Sequence, residues 1–225
     1  MNENKDSVDN SDFEYNLILL GDSSVGKTCF FKKLVADVFK EKNVSTIGID
    51  RRTFELNCQL DEKDNTNSSK IVKINLTDTA GQERYRALTK TYYKNSDGAL
   101  ILYDITERQT YDNIGNWIKD ISDSINADKS KYTMFLLGTK IDLVDTGKKD
   151  RKVEEEEVIN NCKQNGLEWG GEISNKDSSK EDFEKLISRF VKIIYKKIGN
   201  KKEKQTSANI LKYEKKKKKR NHNCC

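Results

Sequence analysis

The stretch Gly21-Asp22-Ser23-Ser24-Val25-Gly26-Lys27-Thr28 meets the spacing G-x-x-x-x-G-K-S/T at every fixed position. Glycines at those places let the backbone curl until successive N–H groups point at one anion, and a helix that follows adds the positive end of its dipole. In such a loop Lys27 bridges the outer phosphates of a nucleoside polyphosphate, and Thr28 offers its hydroxyl to Mg²⁺. The candidate nucleotide contacts here are Gly21, Ser23, Ser24, Val25, Gly26, Lys27, Thr28 and Cys29. Flanking residues agree with the chemistry. Residues 15–20 are an apolar run of strand length, and Cys29, Phe30, Leu34 and Phe39 suit one face of a helix after the loop. A phosphate loop by itself leaves ATPase, kinase and GTPase open.

Two further clusters narrow the choice. Asp78-Thr79-Ala80-Gly81-Gln82-Glu83-Arg84 follows a strand expected over residues 71–76. Asp78 at a strand end can hold Mg²⁺ through water, Gly81 allows the backbone close to a γ-phosphate, and Gln82 is placed to orient an attacking water. Later, Gly138-Thr139-Lys140-Ile141-Asp142 ends a strand expected over 133–137, and Ser174-Asn175-Lys176 follows a weaker one that ends near Ile173. A carboxylate such as Asp142 can accept hydrogen bonds from both N1–H and the exocyclic amine of guanine, a pair of donors that adenine does not offer. The expected ligand is therefore GTP and not ATP.

The elements that must position these groups are legible from hydrophobic period. Phe54, Leu56, Cys58 and Leu60 alternate as one face of a strand; with 71–76 this spells a hairpin around a polar connection at 61–70. A further strand is expected at 99–103, and helices near 86–93, 110–125, 153–164 and 180–198. Strands alternating with helices mean an α/β fold with a mostly parallel sheet and one antiparallel strand from the hairpin. Ligands of such sheets gather at the carboxyl ends of the strands. Trp117 and Trp169 are expected to cover core, and the acidic run 154–157 to start a helix.

Bulk properties bound the class. With 225 residues and 34% apolar residues the chain can bury one good core, giving one domain with tails. Its net charge of +5 is uneven: residues 201–225 hold ten Lys and Arg against Glu203 and Glu214, leaving −3 for the first 200. The basic character belongs to the tail, so no nucleic-acid partner is expected for the globular part. Residues 1–12 are polar and acidic without a secretory apolar segment, and the apolar runs are too short to span a bilayer, so a cytosolic chain is expected. Five scattered cysteines fit reduced thiols, with Cys29, Cys58 and Cys162 in or near the core.

Taken with Thr46-Ile47-Gly48-Ile49-Asp50, Tyr85-Arg86, Tyr92-Tyr93, Leu102-Tyr103-Asp104-Ile105-Thr106, Tyr111-Asp112-Asn113-Ile114 and the ending Cys224-Cys225, the chain resembles a Ras-superfamily small GTPase, most like the Rab family. The resemblance implies the P-loop small-GTPase fold: a six-stranded sheet with helices on both faces, forming a GTPase domain over 13–198 between an N-terminal extension (1–12) and a basic tail (199–225). By the family pattern Thr46 is the switch threonine that meets Mg²⁺ and the γ-phosphate, with Thr28 and Asp78 completing the metal set. Phe39 and the Lys140 stem flank the guanine, Ser174 and Lys176 frame it with a nearby backbone N–H on its O6, and Asn175 is a further nucleotide contact.

The implied activity is slow GTP hydrolysis timing a GTP/GDP switch in membrane traffic. The implied partners are an exchange factor, a GTPase-activating protein, a GDP-dissociation inhibitor, a prenylation escort and effectors, acting on a monomer. Prenylated Cys224 and Cys225 together with the run 215–219 imply a lipid anchor on the cytoplasmic face of an endomembrane or vesicle, with a cytosolic pool. Departures from the pattern are Arg51 where Rabs usually carry Phe, Thr77 where they carry Trp, Thr139 where most carry Asn, and the insertion at 61–70. Arg51 and the insertion, by displacing the switch segment, leave a second reading: a nucleotide-locked adaptor with negligible hydrolysis.

Overall fold

The computed structural model describes residues 11–36, 49–60, 69–79, 86–125 and 132–199. Along them run β1 (Phe13–Leu20), α1 (Lys27–Ala36), β2 (Ile49–Cys58), β3 (Lys70–Thr79), α2 (Arg86–Asn95), β4 (Gly98–Asp104), α3 (Arg108–Asp112), α4 (Ile114–Ser124), β5 (Thr133–Thr139), α5 (Ile141–Asp145), α6 (Glu155–Asn165), β6 (Glu168–Ile173) and α7 (Lys180–Ile198). The strands form one sheet in the order β2-β3-β1-β4-β5-β6. Neighbours β3-β1, β1-β4, β4-β5 and β5-β6 are parallel, and β2 alone is antiparallel, to β3. This is the expected α/β architecture of six strands, mostly parallel.

Why helices cover both faces follows from the strands themselves. Every residue of β4 is buried, as a central parallel strand between two helical layers requires. Side chains alternate across the sheet. Leu17, Leu19, Leu100, Leu102, Phe135 and Leu137 face Phe30, Leu34, Phe183, Ile187 and Phe190 of α1 and α7. Ile18, Leu20, Ile101, Tyr103 and Leu136 face Tyr93, Trp117, Ile121, Val158 and Cys162 of α2, α4 and α6. In α7 the buried residues Phe183, Ile187, Phe190, Val191 and Ile194 recur at helical spacing, and a capping box between Ser179 and Asp182 starts the helix.

Several local expectations change. The segment 110–125 is not one helix: Asn113 ends α3 and precedes α4, and there the bonding tightens to Asn116 N–H on Asn113 C=O at 3.0 Å. β3 runs on to Thr79, so Asp78 lies inside the strand. The five-residue α5 was not anticipated. Glu155, Glu156 and Glu157 do form the first turn of α6, and Glu157 also binds the Arg108 guanidinium in a fork at 2.8 Å. Trp117 is buried, whereas Trp169 is partly buried against the second core. Cys58 and Cys162 are buried, Cys29 is half-buried, and none of the three is in a disulfide. None of the described helices is long and apolar enough to cross a membrane.

Candidate functional site

Because five strands are parallel, their carboxyl ends share one edge of the sheet. β1 delivers the loop 21–26, β3 delivers Asp78, β4 ends at Asp104, β5 at Thr139, and β6 leads into Ser174. β4 and β5 extend beyond β1: Leu20 pairs with Ile101, while Asp104 pairs with Thr139. The sequence-predicted groups on the described residues therefore converge at this edge.

The loop takes the backbone angles its sequence permits. Gly21, Ser24 and Gly26 have φ of 130°, 64° and 103°. A Cβ on Gly21 would lie 2.2 Å from the Leu102 carbonyl oxygen, so only glycine fits between β1 and β4. Ser23 and Ser24 are exposed at the crest and Val25 is fully buried beneath. Lys27 folds back inside: its Nζ donates to the carbonyls of Gly21 at 2.8 Å and Asp22 at 2.7 Å. Burial lowers its pKa to about 8, against the opposing pull of the Asp78 and Asp22 carboxylates. An ammonium held this way is set to gain from an arriving anion.

Beside it the Thr28 hydroxyl donates to Asp78 Oδ2 at 2.7 Å. Asp78 Oδ1 is buried without a partner among the described residues, and burial raises the Asp78 pKa while the Thr28 bond and the Lys27 charge lower it. An unpaired carboxylate oxygen next to a hydroxyl that has already committed its proton is the oxygen donor set a hard divalent cation takes, so these residues fit Mg²⁺.

At the far end of the edge Lys140 adopts a left-handed conformation (φ 68°) and opens α5, which carries Asp142 in its first turn. Two contacts hold it: its backbone N–H donates to Ile173 C=O at 3.1 Å, and its Nζ pairs with Asp104 Oδ2 at 2.6 Å. Asp142 Oδ1 accepts from Ser174 Oγ at 2.9 Å, and that oxygen accepts in turn from the N–H groups of Lys176 at 3.1 Å and Asp177 at 2.9 Å. Ser174 thus aims the carboxylate, while Lys176 is exposed. Thr139 and Asn175 are buried, with side chains turned to the loop carbonyls of Val25 and Gly26. Phe39, Thr46, Gly81 and Gln82, like Cys224 and Cys225, lie outside the described residues.

Sequence reasoning missed three supporting residues. Asp104 holds Lys140 and is itself fixed by Thr106, whose N–H and hydroxyl donate to its Oδ1 at 2.9 and 2.7 Å. Asn113 Nδ2 and Trp117 Nε1 donate to the two carboxylate oxygens of Asp22, at 2.6 and 2.9 Å. An acidic residue at a buried strand end was the visible signal for the first; nothing local pointed to the other two.

Against this geometry, the family model described as Ras family matches residues 16–196. The chain belongs to the Ras family. Within it the chain is Rab-like. It is similar to Ras-related protein Rab-8A of Bos taurus, 41% identical over 136 residues covering 60% of this chain and 59% of that one. It is also similar to Ras-related protein Rab-13 of Canis lupus familiaris, 34% identical over 171 residues and 76% of each. For Ras-related protein Rab-8B of Bos taurus the identity is 40% over 136 residues. The chain spans about three fifths (59%) of the length of the Rab-8A and Rab-8B relatives it matches.

In this Ras-family chain the clasp on Asp22 ties the loop 21–26 to α3 and α4. Asp22→Ala removes the acceptor of both donors, and losing that pairing at a part-buried site is expected to cost about 1–3 kcal/mol of folding stability. Urea unfolding followed by tryptophan emission measures it; an unshifted midpoint would mean the clasp contributes nothing.

Proposed function

We propose that this chain is a guanine-nucleotide switch that binds GTP and GDP with Mg²⁺, hydrolyses GTP slowly and acts in membrane traffic. The observation that carries the reading is one strand-end edge bearing both halves of such a site: buried Lys27 with the Thr28–Asp78 pair at 2.7 Å, and Asp142 aimed by Ser174 at 2.9 Å. The Rab names of its relatives support the traffic role.

In this mechanism the loop N–H groups and Lys27 bind and orient the phosphates. Thr28 and Asp78, joined by Thr46, hold Mg²⁺, whose charge when bound offsets that of the phosphates. Asp142 selects guanine, with Phe39 and the Lys140 stem beside the ring. Gln82 orients the attacking water. Thr46 and Gly81 contact the γ-phosphate and release when it leaves, so the surface changes shape with the nucleotide and is read by partners: an exchange factor, a GTPase-activating protein, a GDP-dissociation inhibitor and effectors. An arginine supplied by an activating partner raises such rates by about 10³–10⁵. After delivery by a prenylation escort, two lipid chains on Cys224 and Cys225 with the basic run 215–219 hold the chain on a cytoplasmic membrane face.

Three measurements test the reading. Asp142→Asn exchanges an acceptor for a donor, so GTP affinity is expected to fall at least tenfold, about the 1.4 kcal/mol of one charged hydrogen bond, and xanthine nucleotides to gain. Equal GTP binding by parent and variant would remove Asp142 from the base site. Gln82→Leu is expected to retain GTP while single-turnover hydrolysis slows by about 10²-fold or less, the scale of losing one water-orienting group; equal rates would favour the locked-adaptor reading. Replacing Cys224 and Cys225 together by Ser is expected to move the chain from the membrane to the soluble fraction. Parent protein whose two terminal cysteines prove unmodified by mass spectrometry in its own cell would sink the anchor.

A further inference from the structure

Asn175 makes a contact that reading the base does not explain. The residue is 6% exposed, and its Nδ2 donates to Gly26 C=O at 3.1 Å, an oxygen that already accepts the Phe30 N–H at 2.9 Å. The amide is there for that donor: its Oδ1 is buried with no partner among the described residues. A Cβ on Gly26 would lie 2.5 Å from Nδ2, so the approach exists because residue 26 has no side chain. One carbonyl earlier, Val25 C=O lies 2.7 Å from Thr139 Oγ1, whose single proton is shared with Tyr103 C=O at 2.8 Å. Two successive carbonyls of the phosphate loop are thus gripped by side chains from the two segments at the base end, the close of β5 and the turn after β6.

We propose that Asn175, together with Thr139, is a positioning residue that couples the base end of the site to the phosphate loop. The proposal rests on the guanine-nucleotide reading and deepens it. Asn175 acts through the loop backbone: holding Gly26 C=O inward fixes the direction in which the neighbouring N–H groups face. A ligand that touches both ends gains from their fixed separation, because less ordering remains to be done on binding, whereas a ligand that touches one end gains nothing from it. A purely structural role would weaken both kinds of ligand alike.

The comparison is therefore between GDP and guanosine, each titrated by calorimetry in the presence of Mg²⁺ onto the full chain, Asn175→Ala and the shape-conserving Thr139→Val. Loss of one hydrogen bond of ordinary strength is expected to weaken GDP about fivefold in Asn175→Ala, with faster release, while guanosine stays within about twofold of the parent. Should Asn175→Ala fail to fold, Thr139→Val carries the same comparison with the same expected split. Equal weakening of GDP and guanosine would overturn the coupling and leave Asn175 as part of the base pocket. GDP binding unchanged in both variants would overturn it as well. A parent chain that binds neither ligand would instead sink the nucleotide reading, and the coupling with it.

Discussion

The loop between β1 and α1 turns four of its carbonyls into the protein, and the surrounding side chains are arranged to receive them. A buried acceptor left unpaired costs about 1–3 kcal/mol, so four inward carbonyls cannot go unanswered in a domain of ordinary stability. Gly21 and Asp22 are answered by the Lys27 ammonium, Val25 by the Thr139 hydroxyl, and Gly26 by the first hydrogen bond of α1 and by Asn175. The same contacts explain how Lys27 can be buried and charged. Two carbonyl dipoles and the nearby carboxylates of Asp22 and Asp78 offset part of its desolvation, and what remains uncompensated lowers its pKa.

Meeting that constraint requires residues far apart in sequence to arrive at one edge, which is what parallel strands of unequal reach accomplish. β4 and β5 overhang β1, so Thr139 stands over the loop and Lys140 beyond it. Left-handed backbone at a residue that is not glycine costs about 1–3 kcal/mol. Lys140 tolerates it because its N–H is tied to Ile173 and its Nζ to Asp104, which Thr106 fixes from the other side. The strained residue turns the chain sharply out of β5 into α5, and that turn brings Asp142 within reach of Ser174.

The parts of this arrangement legible in the sequence are those set by local rules. Apolar runs gave the six strands, spacing in residues 180–198 gave α7 with its bounds, and glycine spacing gave the loop, because each reflects period or backbone angle within a few neighbours. Asp142 was legible as chemistry, but not the helix carrying it, since α5 depends on a left-handed Lys140 that only tertiary contacts sustain. The break between α3 and α4 was hidden for a related reason: Asn113 sits within a helical pattern, yet its side chain is committed to Asp22, 91 residues away in sequence. Asn175 read as one more nucleotide contact; its partner at Gly26 is 149 residues distant and no periodicity points to it.

At the positions where Rabs usually carry aromatics, this chain builds a polar network across β1, β2 and β3. Arg51, opposite Thr77 in the register, donates to Asn16 Oδ1 at 2.9 Å, and Asn75 Nδ2 donates to the same oxygen at 3.0 Å and to Glu14 at 2.7 Å. Thr53 closes the network by donating to Asn75 Oδ1 at 2.6 Å. Three strands are thus laced by side-chain hydrogen bonds where aromatic rings would be held by buried area, and Tyr92, 37% exposed, is the one exposed large hydrophobic side chain among the described residues. An apolar anchor laid across this face would strip water from Arg51 and Asn16 without offering them a partner, and that desolvation opposes whatever area the anchor buries. A polar side chain placed there would keep both groups paired. Arg51 and Thr77 therefore make this surface polar where aromatic residues would make it apolar.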